Sequence, residues 1–247
     1  MIASLIDQRT AGRLRLSAAE LAFLASLEQR TLKFRRHQLI QPAGEPAGEA
    51  YVLRSGWAMT LSQLESGARQ VRRLHFPGDM LAMPSLAMRH HAADVEAVSD
   101  VVVSRFRRSD FAQMFERFPR LTGLMFVFAQ AERLVLGDLM AVIGRESSKA
   151  RMAFLLVDIL HRLRRIDPAM TNRFEMLLTR AQMAEVIAIT PVHTSRMWSK
   201  MIAEGLIRLD GRILEIVDEP GLVALSGYVD RTEDLDFSWL PPSGDSG

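Results

Sequence analysis

The residues best placed to do chemistry run from Thr190 to Lys200, TPVHTSRMWSK. Thr190 suits a helix N-cap, Pro191 the first helical position and Gly205 the C-terminal stop. In that helix Val192, Met197, Met201 and Ile202 are expected to face inward. Pro191, His193, Ser195, Arg196, Ser199 and Lys200 are left outside, crowded near the helix start. An exposed arginine there can donate two hydrogen bonds to guanine O6 and N7, worth about 1–3 kcal/mol of discrimination. Hydroxyls and lysine suit phosphate oxygens, which fix register without reading sequence. A solvated helix of an all-α subdomain carries the same pattern, so the flanking elements decide.

Those flanks are specific. RFEMLL, starting at Arg173, reads as a strand, and Thr179 with Gln182 makes a capping box at the head of TRAQMAEVIA. A very short connection leads into the Thr190 helix. Two β-like runs follow in LIRLDGRILEIV, joined by Asp210-Gly211, the strongest two-residue hairpin signal in the chain. Strand, helix, tight turn, helix and hairpin is the order of a winged helix-turn-helix. Thr179, Arg180, Thr190, Ser199 and Lys200 are then candidate phosphate contacts, and Arg212 a wing contact to the flanking backbone. Arg196 is expected to read a base, with Val192, His193 and Ser195 beside it and Pro191 at the edge.

The N-terminal half must position this element. SAAELAFLASL has Ser17 three residues before Glu20, again a capping box, with Leu21, Leu24 and Leu27 expected on one face. From Arg35 to Phe106, short apolar runs are separated by Gly44, Gly56, Gly67 and Gly78, which predicts a β-roll or sandwich. SDFAQMFERFP reads as a short helix, and a long one follows to about Ile143. Its stripe of Leu121, Leu124, Met125, Phe128, Val135, Leu139 and Val142 exceeds what a small roll needs to cover, which predicts packing against a second chain; packing on its own domain fits the periodicity too. Ser147-Ser148 suits the N-cap of the next helix.

The composition sets the outer limits. Of 247 residues 48% are hydrophobic and 24% charged, enough apolar material for a sizeable core. The absence of cysteine excludes disulfides, thiolate metal sites and cysteine-ligated iron–sulfur clusters. The most apolar stretch is interrupted by Glu132, Arg133 and Asp138, so no membrane span is expected, and MIASLIDQRTAGRLRL has no basic region followed by an apolar core, so no secretion signal is expected either. The expected location is the cytoplasm. Net charge is only +2, although HRLRRI (161–166) and RFRR (105–108) are basic clusters, expected as solvated faces. No phosphate loop, nucleophile elbow, zinc-protease motif or carboxylate cluster appears, so no enzyme is expected. His90-His91, with His75 or His37, suggests a metal or haem, but adjacent histidines on a strand point to opposite faces. No metal and no cofactor are assigned.

The segment LLTRAQMAEVIAITPVHTSRMWSKMIAEGLI resembles the helix-turn-helix of the Crp/Fnr family of bacterial transcription regulators. The glycine-punctuated roll and long helix resemble that family's sensor domain and dimerisation helix, and the likeness covers about residues 17 to 225. It implies an α+β chain with an N-terminal double-stranded, jelly-roll-like β-roll, a long dimerisation helix and a C-terminal winged helix-turn-helix. The domains fall at 1–112, 113–144 and 145–226, followed by an acidic, flexible tail over 227–247. It implies a homodimer on an inverted-repeat operator, with double-stranded DNA and RNA polymerase as partners. The rival is a small-molecule-sensing module that acts through a protein partner.

Three departures from the family pattern matter. Ala188 stands where the turn between the DNA-binding helices usually has glycine, so an adjusted turn is expected. The family's Glu-x-x-Ser-Arg pattern keeps Ser195 and Arg196 but has Val192 at the glutamate, which removes an acceptor for cytosine. The cyclic-AMP cassette's Gly-Glu and Arg-Ser are replaced by Ala82-Met83 and His91-Ala92. A cyclic phosphate without its arginine is poorly held, so cyclic AMP is not the expected effector, and the sequence names no other.

Overall fold

The computed structural model describes residues 6, 7, 9, 10, 12–28 and 30–242. The fold is α+β, and the chain forms two compact units. The first is built from the described residues within Met1–Leu61, Leu74–Arg133 and Thr232–Gly247; the second comprises Ser62–Arg73 and Leu134–Arg231.

In the first unit, helix α1 (Ala18–Glu28) starts at the Ser17–Glu20 capping box. The Glu20 amide donates to Ser17 Oγ at 3.2 Å and the Ser17 amide to Glu20 Oε2 at 2.7 Å. Phe23, Leu24 and Leu27 are buried, whereas Leu21 is exposed, so the inward face is rotated from the expected one. Strands follow as β1 (Thr31–Phe34), β2 (Leu39–Gln41), β3 (Glu49–Ser55), β4 (Ala58–Gln63), β5 (Arg69–His75), β6 (Met80–Leu81), β7 (Asp94–Ala97) and β8 (Val101–Arg107), of which residues 62–63 and 69–73 fall in the second unit. They form two four-stranded sheets, ordered β1-β8-β3-β6 and β2-β7-β4-β5. Buried Tyr51, Leu53, Val95, Val101 and Val103 make a core for the roll. Gly44, Gly56, Gly67 and Gly78 all have positive φ, the conformation that glycine adopts without steric cost. At Gly56 a Cβ would lie 2.2 Å from the Asp100 carbonyl oxygen, so no other residue fits.

Helix α2 (Arg108–Arg117) and the long helix α3 (Pro119–Arg145) come next. Leu121, Leu124 and Phe128 are buried in the first unit's own core with Phe23, Leu24, Phe106, Phe111 and Met114, and Met125 packs against it. This corrects the expectation that they contact a second chain. That first part of the stripe is buried within the first unit, and periodicity cannot distinguish this from a contact with a second chain. Val142 is likewise buried, and Val135 and Leu139 are half-buried. The residues of α3 that stay exposed from Phe126 onward are Phe126, Ala129, Gln130, Arg133, Leu134, Gly137, Met140, Ala141, Gly144 and Arg145.

The acidic C-terminal segment also departs from expectation. Instead of a flexible tail, residues 232–240 pack on the first unit, with Phe237 and Leu240 in its core. The Arg13 guanidinium donates to the carbonyls of Thr232, Glu233 and Leu235 at 3.0, 3.2 and 2.9 Å. Two apolar side chains three residues apart supply the burial that the acidic composition hides.

In the second unit, helix α4 (Ser148–Ile166) is N-capped by Ser147, whose Oγ accepts from the Ala150 amide at 3.2 Å. It is buried almost continuously from Met152 to Leu160. Then come β9 (Arg173–Glu175), α5 (Arg180–Ile187), α6 (Pro191–Ala203), β10 (Ile207–Asp210), β11 (Ile213–Ile216) and α7 (Glu219–Ser226). The sheet order is β10-β11-β9, all antiparallel. Asp210 pairs with Ile213, so Gly211 (φ 59°) and Arg212 form the hairpin's two-residue loop, one residue beyond the expected pair. Among the described residues no helix is long and apolar enough to cross a membrane.

Candidate nucleic-acid interface

The turn between α5 and α6 is tight because Ala188 itself takes the left-handed conformation, φ 54° and ψ 51°. The Ala188 amide caps α5 by donating to the Ala184 carbonyl. The turn is therefore of the type that glycine makes, kept by an alanine at a cost of about 1–2 kcal/mol. At the other side of the turn, Thr190 Oγ1 accepts from the His193 amide at 3.2 Å and Pro191 opens α6. Thr179 and Gln182 form both bonds of the capping box that starts α5, at 3.1 and 2.9 Å.

The inward face of α6 is made by Thr194, Trp198 and Met201, which are buried. Val192 and Ile202, expected inside, are exposed, Val192 at 63%. The expectation undercounted the small Thr194, whose hydroxyl donates to the Thr190 carbonyl at 3.1 Å and satisfies itself within the helix. Pro191, Val192, His193, Ser195, Arg196, Ser199 and Lys200 all lie on the exposed side. Ser195 Oγ donates to the Pro191 carbonyl at 3.1 Å, leaving its oxygen free to accept. The helix contains no carboxylate; the first acid is Glu204, 4.0 Å from Lys200 and also paired with Lys149. Arg196 has no ion pair and no side-chain hydrogen bond among the described residues, so its fork of donors is uncommitted. This face can give hydrogen bonds and positive charge to one narrow target, which suits the N-terminal end of a helix in a groove.

The other candidates are placed differently. Arg212, at the hairpin tip, pairs with Glu175 at 3.1 Å and must share that partner with any anion. Arg180 is half-buried, with its Cζ 3.6 Å from the centroid of the Trp198 ring. Desolvation lowers its pKa from the ordinary guanidinium value. The sequence carried no separate signal for this stack, because neither residue type nor spacing pairs positions 180 and 198.

The basic clusters are not free faces. Arg164 makes a bidentate pair with Glu219 at 2.6 and 2.8 Å, and Arg165 holds Asp230 at 2.7 Å. Arg162 is buried beside Asp158. In the first cluster Arg105 pairs with Glu49 at 3.5 Å, and Arg108 donates to the Met88 carbonyl.

In the roll, the segment resembling the cyclic-nucleotide cassette places Ala82 at φ 64° and Met83–Ala87 in a 3-10 helix. Met83 and His91 are the residues that the resemblance sets against the acid and the arginine. His91 is buried, and desolvation holds its imidazole below the ordinary pKa. Gln41 Nε2 donates to buried Ser85 Oγ at 3.3 Å within the same region. His37 lies beside Glu96 at 3.4 Å and His75 beside Thr60 at 2.7 Å, on separate partners.

Comparison with known proteins gives a consistent picture for both units. Residues 31–118 match the cyclic nucleotide-binding domain and residues 150–225 the Crp-like helix-turn-helix domain. The chain is 24% identical over 210 residues to transcriptional regulatory protein btr of Bordetella pertussis, covering 85% of this chain and 86% of that protein. It is 29% identical over 205 residues to transcriptional activator protein FnrL of Cereibacter sphaeroides, with coverage of 79% and 80%. Its fold is similar to that of FixK2 from Bradyrhizobium japonicum, with a TM-score of 0.73 at 22% identity, over 81% of this chain and 98% of that one.

Proposed function

The chain belongs to the Crp/Fnr family of transcription regulators, and we propose that it is a homodimer whose two α6 helices read an inverted-repeat operator. The observation that carries this reading is the exposed, acid-free start of α6 with Arg196 uncommitted. Arg196 donates to guanine in the major groove, and Val192, His193 and Ser195 face neighbouring bases or phosphates. Thr179, Arg180, Thr190, Ser199 and Lys200 hold phosphates, with Pro191 at the rim and Arg212 on the flanking backbone. Two such helices in a dimer stand about 34 Å apart, one turn of DNA.

The dimer contact uses the exposed side of α3, from Phe126 through Leu134 and Met140 to Gly144, not the buried stripe. That side is apolar or small apart from Gln130 and Arg133, a composition that water solvates poorly and a second helix covers well. The protein works in the cytoplasm, where regulation of transcription brings RNA polymerase as a further partner. Its effector is not cyclic AMP, because Met83 and His91 supply neither the ribose acceptor nor the phosphate cation.

A mobility-shift assay with duplexes selected from a random pool tests the reading. The expected outcome is a palindromic motif bound by the wild type, with loss of sequence preference in Arg196→Ala. Retention of sequence-specific binding by that variant overturns the assignment of Arg196. No selectable DNA at all favours a module that acts through a protein partner.

A further inference from the structure

We propose that Trp198 is a positioning residue for DNA: its indole face fixes the guanidinium plane of Arg180, so one buried side chain sets both a phosphate contact on α5 and the base reader on α6. This rests on the reading above, in which Arg180 meets a phosphate and Arg196 a base.

The geometry carries it. Arg180 Cζ stands over the ring, 3.6 Å from its centroid, well within cation–π range. Trp198 is 3% exposed and wedged on the inner face of α6 between Thr194 and Met201, so the platform cannot move without the helix. Arg196 lies on the same helix, two residues before Trp198, and is carried with it. Arg180 begins α5 directly after the Thr179 cap, where the helix dipole favours an anion. Its other contact is a weak one, an N–H to Met183 Sδ at 3.6 Å, and no carboxylate pairs with it among the described residues. Arg164 and Arg165, by contrast, spend their donors on Glu219 and Asp230. A guanidinium resting over a buried ring, with donors that no carboxylate takes up among the described residues, is a phosphate ligand already restrained. It does not lose the freedom that a solvated arginine loses on binding. Lysine cannot substitute, because it has no plane to stack.

A double-mutant cycle on the full chain with its selected duplex tests this, read as affinity against salt. Arg180→Gln is expected to lower the salt slope by about 0.9, one phosphate's worth. Trp198→Leu is expected to weaken binding about fivefold with the slope kept, since a mobile arginine still finds the phosphate. In the Arg180→Gln background the same Trp198 change is expected to cost almost nothing, and Trp198→Phe to retain most of the coupling. Additive losses overturn the proposal, because Trp198 then acts only through the core. Should Trp198→Leu fail to fold by circular dichroism, the cycle is run with Trp198→Met, which likewise has no ring face, and additivity has the same meaning. A readout without DNA stands beside it. In a Trp57→Phe, Trp239→Phe protein the emission of Trp198 is expected to change on Arg180→Gln, and an unchanged spectrum overturns the stack. A wild type that binds no duplex overturns the underlying reading instead, while the emission still reports on the stack.

Discussion

Leu240 lies directly over Gly123 of α3, so that a Cβ on the glycine would come within 2.6 Å of the leucine Cδ2. The glycine leaves the hollow that the C-terminal segment fills. With Phe237 beside it, Leu240 is 8% exposed and belongs to the core of the first unit. Leu240→Ala is therefore expected to destabilise that unit by about 2–3 kcal/mol, through lost burial and the cavity left behind. Urea denaturation followed by near-ultraviolet circular dichroism measures it. A change under 0.5 kcal/mol would mean that the segment is a loose tail after all.

Ala188 gives a prediction of opposite sign. Its left-handed φ of 54° places a Cβ against the backbone, a cost that glycine avoids. Ala188→Gly is expected to stabilise the second unit by about 1 kcal/mol, after the entropy that glycine adds to the unfolded chain. The midpoint of that unit's thermal transition should rise. A fall would mean that the alanine methyl makes a contact worth more than the strain.

These two residues also mark how far the sequence could be read. Capping boxes at Ser17 and Thr179, the glycine turns of the roll and the helix-turn-helix itself were legible, because each is a local signal within a few residues. Legibility failed where the deciding partner is distant in sequence. The stripe of Leu121, Leu124 and Phe128 was visible, but whether a second chain or α1 and α2 covers it depends on tertiary packing. Leu240 was hidden because its hollow is a glycine 117 positions away in an ordinary helix. The basic run at 161–166 looked solvated because its carboxylates, Asp158 apart, come from Glu219 and Asp230.

The two faces of α3 are separable by mutation. Met140, 75% exposed, and Leu134, 55% exposed, lie on the proposed dimer side, whereas Leu124 is fully buried. Met140→Glu and Leu134→Arg are expected to give folded monomers at micromolar concentration in sedimentation velocity, and to weaken operator binding with them. Leu124→Glu should unfold the first unit instead, since a buried unpaired charge costs several kcal/mol. Dimers that persist in both exposed-face variants would move the interface elsewhere.

His161 makes the second unit's stability depend on pH. Its imidazole stands between two carboxylates, Asp230 at 3.9 Å and Glu219 at 3.1 Å, and packs edge-on against the Tyr228 ring. Arg164 and Arg165 pair with the same two acids. The acids, Asp230 foremost and then Glu219, raise the His161 pKa above 6.5 against the effect of burial. The folded state therefore holds the proton more tightly than the unfolded chain. Its contribution is complete below the unfolded value and is lost as pH rises through the folded one. Glu219 has the opposite sign, because Arg164 above all depresses its carboxyl below 4.5, and that contribution disappears as pH falls through the lowered value. The stability difference between wild type and His161→Gln should thus be larger near pH 6 than near about pH 8.5. A difference independent of pH would show that His161 contributes packing alone.

Val192 tests the reading helix most sharply. It is 63% exposed, one turn before Arg196 on the same face, and valine offers no hydrogen bond to any base. The wild type is expected to select guanine through Arg196 and to show no cytosine preference at the neighbouring position. Val192→Glu restores an acceptor for the cytosine amino group, worth about 1–3 kcal/mol per half-site against other bases. Selection from a random duplex pool should then add one cytosine to each half of the motif, symmetrically, with the guanine unchanged. The same added carboxylate brings repulsion from phosphate, so weaker non-specific binding should accompany the gain in discrimination. An unchanged motif would mean that Val192 faces solvent or sugar instead of a base edge. A motif changed in one half only would mean that the two helices do not read by a two-fold axis.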